Sequence, residues 1–343
     1  MTRILLTGAT GYVGGEVLYT LDNSNLGTLQ ITCLVRDEKK ALEVQAVHPN
    51  IKTVLGDLDD VALVQREAEA ADIVLHLAAT GHAPSAKAIA QGLQDRAKRV
   101  QSPGHWVQIS GATCFATEEI ASGKFGYATD AIYDDSKDRD RILSTLRSNS
   151  KRIVENIVLS QSPSLVKTAL IVGPLIYGPG RGPVNQRSIQ APEIVKSTLK
   201  LGHGFRLNDG KNIWSNIHVH DLASLVVLLV SAAKEGKDGL WNDDGVYNVE
   251  NGEMTFEQLD TVITNEAHAQ GLIKEDATSG LKVIDAAKAD SLSGHAAILW
   301  GTNARTRAVK GRHALDWSPS GSALVDTIPE LVRAEGKGLK ASL

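Results

Sequence analysis

Two cysteines, Cys33 and Cys114, are all that a chain of 343 residues carries. That is too few for a disulfide framework and fits a reducing compartment. A strong charge of either sign is also missing: 36 Lys and Arg stand against 40 Asp and Glu, for a formal net charge of -4. This balance argues against a nucleic-acid footprint, and no run of like charges is long enough for a tail or a membrane-surface helix. No apolar stretch approaches a membrane span, and the first residues enter an apolar segment without a preceding basic region, so a cytoplasmic location is expected. Internal repeats and low-complexity segments are absent as well. What remains is 42% hydrophobic and 22% charged, an ordinary globular composition with enough chain for one large domain or two interlocked ones. A small molecule is the expected partner, and a homodimer is compatible with the composition.

The N-terminal segment is the most informative. The apolar run Ile4-Leu5-Leu6 leads into Thr7-Gly8-Ala9-Thr10-Gly11-Tyr12-Val13-Gly14-Gly15, after which Val13, Val17, Leu18 and Leu21 recur at helical spacing. This reads as strand, glycine turn and helix. Glycines permit the tight turn and let backbone amides approach a pyrophosphate, whose charge then sits at the positive end of the helix. Gly8, Thr10, Gly11, Tyr12, Val13 and Gly14 are therefore candidate dinucleotide contacts. Short apolar runs recur at Leu29 to Val35, Ile51 to Leu55, Asp72 to Leu77, Trp106 to Ile109 and Leu165 to Val172, each reading as a buried parallel strand. Helical patterns such as Val61 to Ala71 and Ala86 to Val100 lie between them. The alternation predicts an α/β fold, a doubly wound parallel sheet of the Rossmann type with a smaller C-terminal substrate-binding region. Residues 112–150 break the rhythm and read as a long functional or mobile loop. The predicted organisation is a dinucleotide-binding domain over residues 1–180, with 210–232 returning to it, and a smaller region from 181–209 and 233–343.

The end of the second strand should set cofactor choice, because an acidic side chain there accepts from a ribose 2′-hydroxyl and repels a 2′-phosphate. This chain offers Arg36, whose guanidinium can pair with a phosphate through two parallel hydrogen bonds, so NADP(H) is expected over NAD(H). Asp37 next door pulls the other way, and a solvated arginine ending a strand is the plain alternative.

Further segments match one family in order along the chain: Thr7-Gly-Ala-Thr-Gly-Tyr-Val-Gly14, Gly56-Asp57-Leu58, His76-Leu77-Ala78-Ala79, Gly173-Pro174-Leu-Ile-Tyr-Gly-Pro-Gly180, His218-Val-His-Asp221-Leu-Ala and Asp316-Trp-Ser-Pro319. They resemble the extended short-chain dehydrogenase/reductase superfamily, in its epimerase/dehydratase-like branch. The resemblance implies that Asp57 and Leu58 receive the adenine, that Ala78, Ala79 and Thr80 pass beneath the cofactor, and that Pro174 lies beside the nicotinamide. A helix N-cap is the alternative role for Asp57.

The resemblance also implies a hydroxyl after the fifth strand and a tyrosine four positions before a lysine, the lysine lowering the phenol's pKa and holding the nicotinamide ribose. Here Gly111 takes the aligned hydroxyl position, leaving Ser110 or Thr113 to substitute. Tyr133 and Lys137 have the required spacing, but Asp134, Asp135, Asp138 and Asp140 crowd them, and negative charge raises a phenol's pKa. A second register places Lys151 at the lysine, opening a helix with Glu155, and Arg147 at the tyrosine. Lys151 is taken as the ribose-binding lysine and Tyr133 as the proton donor carried by the insertion, with Tyr127 and Tyr177 as rivals.

His218 and His220 share one face of a strand, as zinc ligands often do. The matching family segment has no metal, and its aspartate, here Asp221, caps the following helix, so no metal is expected. Tyr177, Trp214 and Asn216 are candidate substrate contacts. The expected activity is an NADP(H)-dependent oxidoreductase acting on a small carbonyl or alcohol. The alternatives are a nucleotide-sugar epimerase or dehydratase, and a catalytically silent dinucleotide-binding regulator.

Overall fold

Ile4, Leu5 and Leu6 are all buried, as a strand covered on both faces requires. In the computed structural model, which describes residues 1–341, they lie in β1 (Thr2–Thr7). It is followed by β2 (Leu29–Val35), β3 (Lys52–Leu55), β4 (Ile73–His76) and β5 (Gly104–Gly111). The strands Val166–Gly173 and Val246–Asn248 complete a seven-stranded sheet in the order Val246–Asn248, Val166–Gly173, β5, β4, β1, β2, β3. Every pairing in it is parallel. Register places Ile4 between Ile31 and Ile73, so one β-branched row crosses the centre of the sheet.

Helices cover both faces. On one side, α1 (Tyr12–Asp22) packs against the helix Val219–Lys234. On the other, α3 (Val61–Ala70) packs against α4 (Ala83–Val100), and α4 against the helix Ile153–Leu159. Between α1 and α3 in sequence lies α2 (Glu38–Val47), capped by Asp37, whose carboxylate accepts from the Lys40 amide at 2.9 Å. Two separate apolar clusters result, one on each face, the layered arrangement of a doubly wound sheet. Strand order reverses between β1 and β4, and the crevice beyond the carboxyl ends of those strands is where such folds bind ligands.

Caps explain where the helix boundaries depart from the apolar pattern. His82 accepts from the Ser85 amide at 3.2 Å and Pro84 occupies the first turn, so α4 starts at Ala83 rather than Ala86. Asp60, not Asp57, caps α3 by accepting from the Leu63 amide at 3.0 Å. Asp221 does not cap its helix either. His218 does, through the His220 amide, while Asp221 accepts from the amides of Ser320 (2.9 Å) and Gly321 (3.0 Å) and holds the loop after Trp317.

Two segments differ from the sequence expectation. Val246–Asn248, expected in the smaller region, joins the central sheet beside Val166–Gly173; three residues are too few to register as a periodic pattern. The stretch 112–150, read as a loop, contains the helices Thr117–Ser122 and Arg139–Ser148 and a two-residue strand, Tyr133–Asp134, paired in parallel with Thr306–Arg307. No helix among the described residues is long and apolar enough to cross a membrane.

Candidate dinucleotide and active site

The crevice at the switch point is a cleft of about 840 Å³. Its lining includes Gly8, Thr10, Gly11, Tyr12, Val13, Gly14, Arg36, Asp57, Leu58, Ala78, Ala79, Thr80, Ser110, Thr113, Pro174 and Trp214. Sequence reasoning named each of these. The turn itself is sterically specified. Gly8 has φ +89° and a Cβ there would stand 2.8 Å from the Ala78 backbone nitrogen, while a Cβ at Gly14 would stand 2.2 Å from the Gly8 carbonyl oxygen. Gly11 differs. It sits at φ -89°, ψ 173°, backbone that any residue adopts, so its requirement for a small side chain comes from the cleft and from the Gly8 carbonyl oxygen, which a Cβ would approach to 3.2 Å.

The residues fit a dinucleotide. Gly11 is the N-cap of α1, no side chain caps that helix and no acidic residue occupies its first turn. The first amides of the helix thus face the cleft without an internal partner, which is the arrangement that receives a phosphate. Tyr12 ties the start of α1 to the segment that follows Tyr177 by donating its phenol to the Gly178 carbonyl at 2.6 Å. Beneath Ala78, His76 is fully buried, with Nδ1 2.6 Å from Thr7 Oγ1 and Nε2 3.2 Å from Ser85 Oγ. The chain of contacts continues through His82 to Asp59. Burial, with a smaller contribution from His82, pushes the His76 pKa down to about 4, so this link between β1, β4 and α4 is neutral at physiological pH. At the mouth, Asp57 accepts from the amides of Asp59 (2.9 Å) and Asp60 (3.1 Å), a local turn at the cleft edge.

Four expected site residues lie elsewhere. Lys151 is exposed in the turn before the helix Ile153–Leu159, its amide held by Asn149 Oδ1 at 3.0 Å, and it does not line the cleft. The helix begins at Ile153 with Arg152 at its N-cap, so Lys151, expected to open it, stands outside its first turn. Tyr133 stacks on Phe115 with ring centroids 4.1 Å apart, under the Arg141 guanidinium at 4.2 Å. It is a packing residue of the insertion and not a cleft residue. Tyr177 is buried and donates to the Ser322 carbonyl at 2.8 Å. It lines a second cavity of 860 Å³ between residues 178–192 and the helix Leu324–Ala341, and burial pushes its phenol up to about 12. Asn216 is buried in the strand Ile213–His218, its amide bonded to the Gly252 carbonyl. Trp214 on that same strand does reach the cleft, with its indole N–H donated to the Thr302 carbonyl at 2.7 Å.

In place of a tyrosine and lysine, the end of β5 meets a different set. Ser110 donates to Glu155 Oε1 at 2.7 Å, Arg152 Nη2 donates to Thr113 Oγ1 at 3.1 Å, and Arg152 Nη1 lies 3.4 Å from the same Glu155 oxygen. Arg152 was not singled out by sequence because nothing distinguishes it from Lys151 except the point at which the helix begins. Asn185, Ile189, Gln190 and Leu299 also line the cleft. They come from segments with no motif to mark them.

A glycine-turned helix end at the switch point of this sheet defines a dinucleotide-binding protein with the fold of the extended short-chain dehydrogenases/reductases, and the chain belongs to one family with a fungal oxidase. A family described as NAD(P)H-binding matches residues 8–150. The chain is 35% identical over 353 aligned positions to the oxidase ucsJ of Acremonium sp, with 99% of each chain covered. Among solved structures it resembles the dTDP-glucose 4,6-dehydratase DesIV of Streptomyces venezuelae, with TM-score 0.63, 19% identity and 98% of both chains covered. It also resembles the UDP-glucose 4-epimerase of Thermotoga maritima, with TM-score 0.60, 15% identity and 98% and 99% covered.

Proposed function

We propose that this protein is an NADP(H)-dependent oxidoreductase acting on a small, uncharged carbonyl or alcohol. One observation carries the choice of substrate class: among the described residues, Arg36 is the single Lys or Arg lining the cleft. It stands at the end of β2, beside the glycine turn. A nucleotide-linked sugar such as those in the names of the dehydratase and epimerase neighbours brings a pyrophosphate of its own, whose charge needs a second set of cations. The end of the cleft remote from β2 offers Trp214, Ile176, Ile189 and Leu299 instead, which suits an uncharged ligand. The name of the relative from Acremonium, an oxidase, agrees with net redox chemistry.

The preference for NADP(H) rests on Arg36, exposed and lining the cleft, and on Asp37 being occupied in capping α2. Bound dinucleotide would supply hydride chemistry, with Gly11 and the first turn of α1 on the phosphates and Ala78 and Ala79 under the ring system. NADPH should bind more tightly than NADH by roughly 1.5–3 kcal/mol, the value of a charge-assisted contact, and Arg36→Ala should remove most of that difference. Calorimetric titration checks both, and equal affinities in the parent would remove the assignment.

The experiment that tests the activity is stoichiometric NADPH consumption against a panel of uncharged carbonyls. An epimerase would instead retain dinucleotide through purification and show no net redox. A protein that binds NADPH yet transfers hydride to no member of the panel would favour the regulatory reading.

A further inference from the structure

Resting on the oxidoreductase reading, we propose that Ser110 and Glu155 form a proton relay into the cleft, taking the place of the absent tyrosine and lysine. Ser110 ends β5, lines the cleft and donates its hydroxyl proton to Glu155 Oε1 at 2.7 Å. A hydroxyl has one donor and two acceptor positions, so donation to Glu155 leaves Ser110 Oγ able to accept from a ligand hydroxyl. Glu155 is 1% exposed. A carboxylate buried that deeply is costly unless charged and hydrogen-bonding partners hold it, and here Arg152 lies 3.4 Å from the same oxygen that Ser110 contacts. Arg152 also donates to Thr113 Oγ1, so the Ser110 and Thr113 hydroxyls are tied to the same Arg152–Glu155 ion pair.

The proton movement balances as follows. An alcohol bound in the cleft breaks its O–H bond and passes that proton to Ser110 Oγ, while the original Ser110 proton passes to Glu155 Oε1. The electron pair left on the ligand oxygen forms the carbonyl as the adjacent C–H departs as hydride to the oxidised dinucleotide of the proposed function. Glu155 ends neutral and Ser110 ends as a hydroxyl. In reduction the same two protons run backwards. Ser110 is the catalytic residue. Glu155 acts through it, and Arg152 positions Glu155.

Glu155→Gln separates the relay from a merely structural tie between helix and sheet, because an amide oxygen still accepts from Ser110 but cannot take up a proton. Glu155→Gln and Ser110→Ala should each lower kcat on the order of 100-fold or more, the usual scale of a lost acid–base group. NADPH affinity, read by fluorescence titration, should stay within about twofold in both variants, and KM should do so in Glu155→Gln, which does not touch the ligand. In the dinucleotide-free protein, the infrared carboxylate band that disappears in Glu155→Gln should shift in Ser110→Ala. Parent-like turnover in Glu155→Gln, an unmoved band, or a loss of NADPH affinity that accounts for the loss of rate would each overturn the relay while leaving the proposed function standing. Should Glu155→Gln fail to fold, Ser110→Ala carries the test, since it leaves the Arg152–Glu155 pair in place. A parent that binds NADPH but turns over no carbonyl overturns the oxidoreductase reading, and the relay with it.

Discussion

Gly11 and Gly14 look interchangeable in the sequence, yet they answer to different constraints. A Cβ at Gly14 meets fixed backbone, the Gly8 carbonyl at 2.2 Å, whereas one at Gly11 finds only the same oxygen at 3.2 Å and an ordinary extended conformation. Gly11→Val should therefore fold with a thermal midpoint close to the parent's and bind NADPH at least about 10-fold more weakly, as one charge-assisted amide contact is lost. Gly14→Val should lose stability as well, by about 1–3 kcal/mol or more from overpacking. Calorimetric scans paired with NADPH titration distinguish the two. Asp260 shows a second constraint invisible in sequence. Burial, with Glu257 adding, raises its carboxyl well above the usual carboxylate range, and its Oδ1 has no partner. The folded chain thus holds this proton more tightly than the unfolded one. Stability should fall as pH rises from about 4 toward the folded pKa, at a slope of about 1.4 kcal/mol per pH unit. Denaturant midpoints at pH 5 and 8 should converge in Asp260→Asn, and a gap as wide as the parent's would contradict the assignment.

Strands with mostly buried side chains were legible, because burial writes itself as largely apolar runs: Leu29–Val35 and Val166–Gly173 emerged within one residue of expectation. So did the phosphate turn, where steric demand restricts the residue type. The catalytic side was not legible. Whether Lys151 or Arg152 turns inward depends on where the helix Ile153–Leu159 begins, and that depends on a turn held by Asn149 and not on any periodic signal. Nor did sequence disclose what holds the segment after Tyr177. Glu16 on α1 is fully buried and accepts from the Arg181 amide at 2.7 Å and from its guanidinium Nε at 2.9 Å, while Arg181 lies over the Tyr19 ring. Gly182 presses so closely on α1 that a Cβ would stand 2.7 Å from the Gly15 Cα. Arg181→Met strips the guanidinium from a buried carboxylate that keeps the residue-181 amide and the Thr20 hydroxyl, and should cost about 1–3 kcal/mol. The double variant Arg181→Met, Glu16→Gln should recover much of that loss in urea unfolding, and no recovery would show that the loop is held by other contacts.

The two sequence regions separated at residue 180 are interlocked in space. Tyr133–Asp134 pairs with Thr306–Arg307, and the neighbouring Asp135 accepts from the amides of Asn248 (3.0 Å), Val309 (2.8 Å) and Lys310 (2.9 Å). A fragment of residues 1–180 should accordingly fail to bind NADPH by titration and regain binding when residues 181–343 are supplied. The strand Val246–Asn248 has a consequence in time. It reaches the sheet edge only after the helix Val219–Lys234 and the crossover beyond it have been made. On a ribosome adding about 5–20 residues per second, Val166–Gly173 waits several seconds as an uncovered parallel edge. An apolar edge left open is a template for pairing with another chain. The nascent protein is therefore most vulnerable to association with its neighbours on the polysome after its cofactor-binding half has been synthesised and before residue 246 emerges.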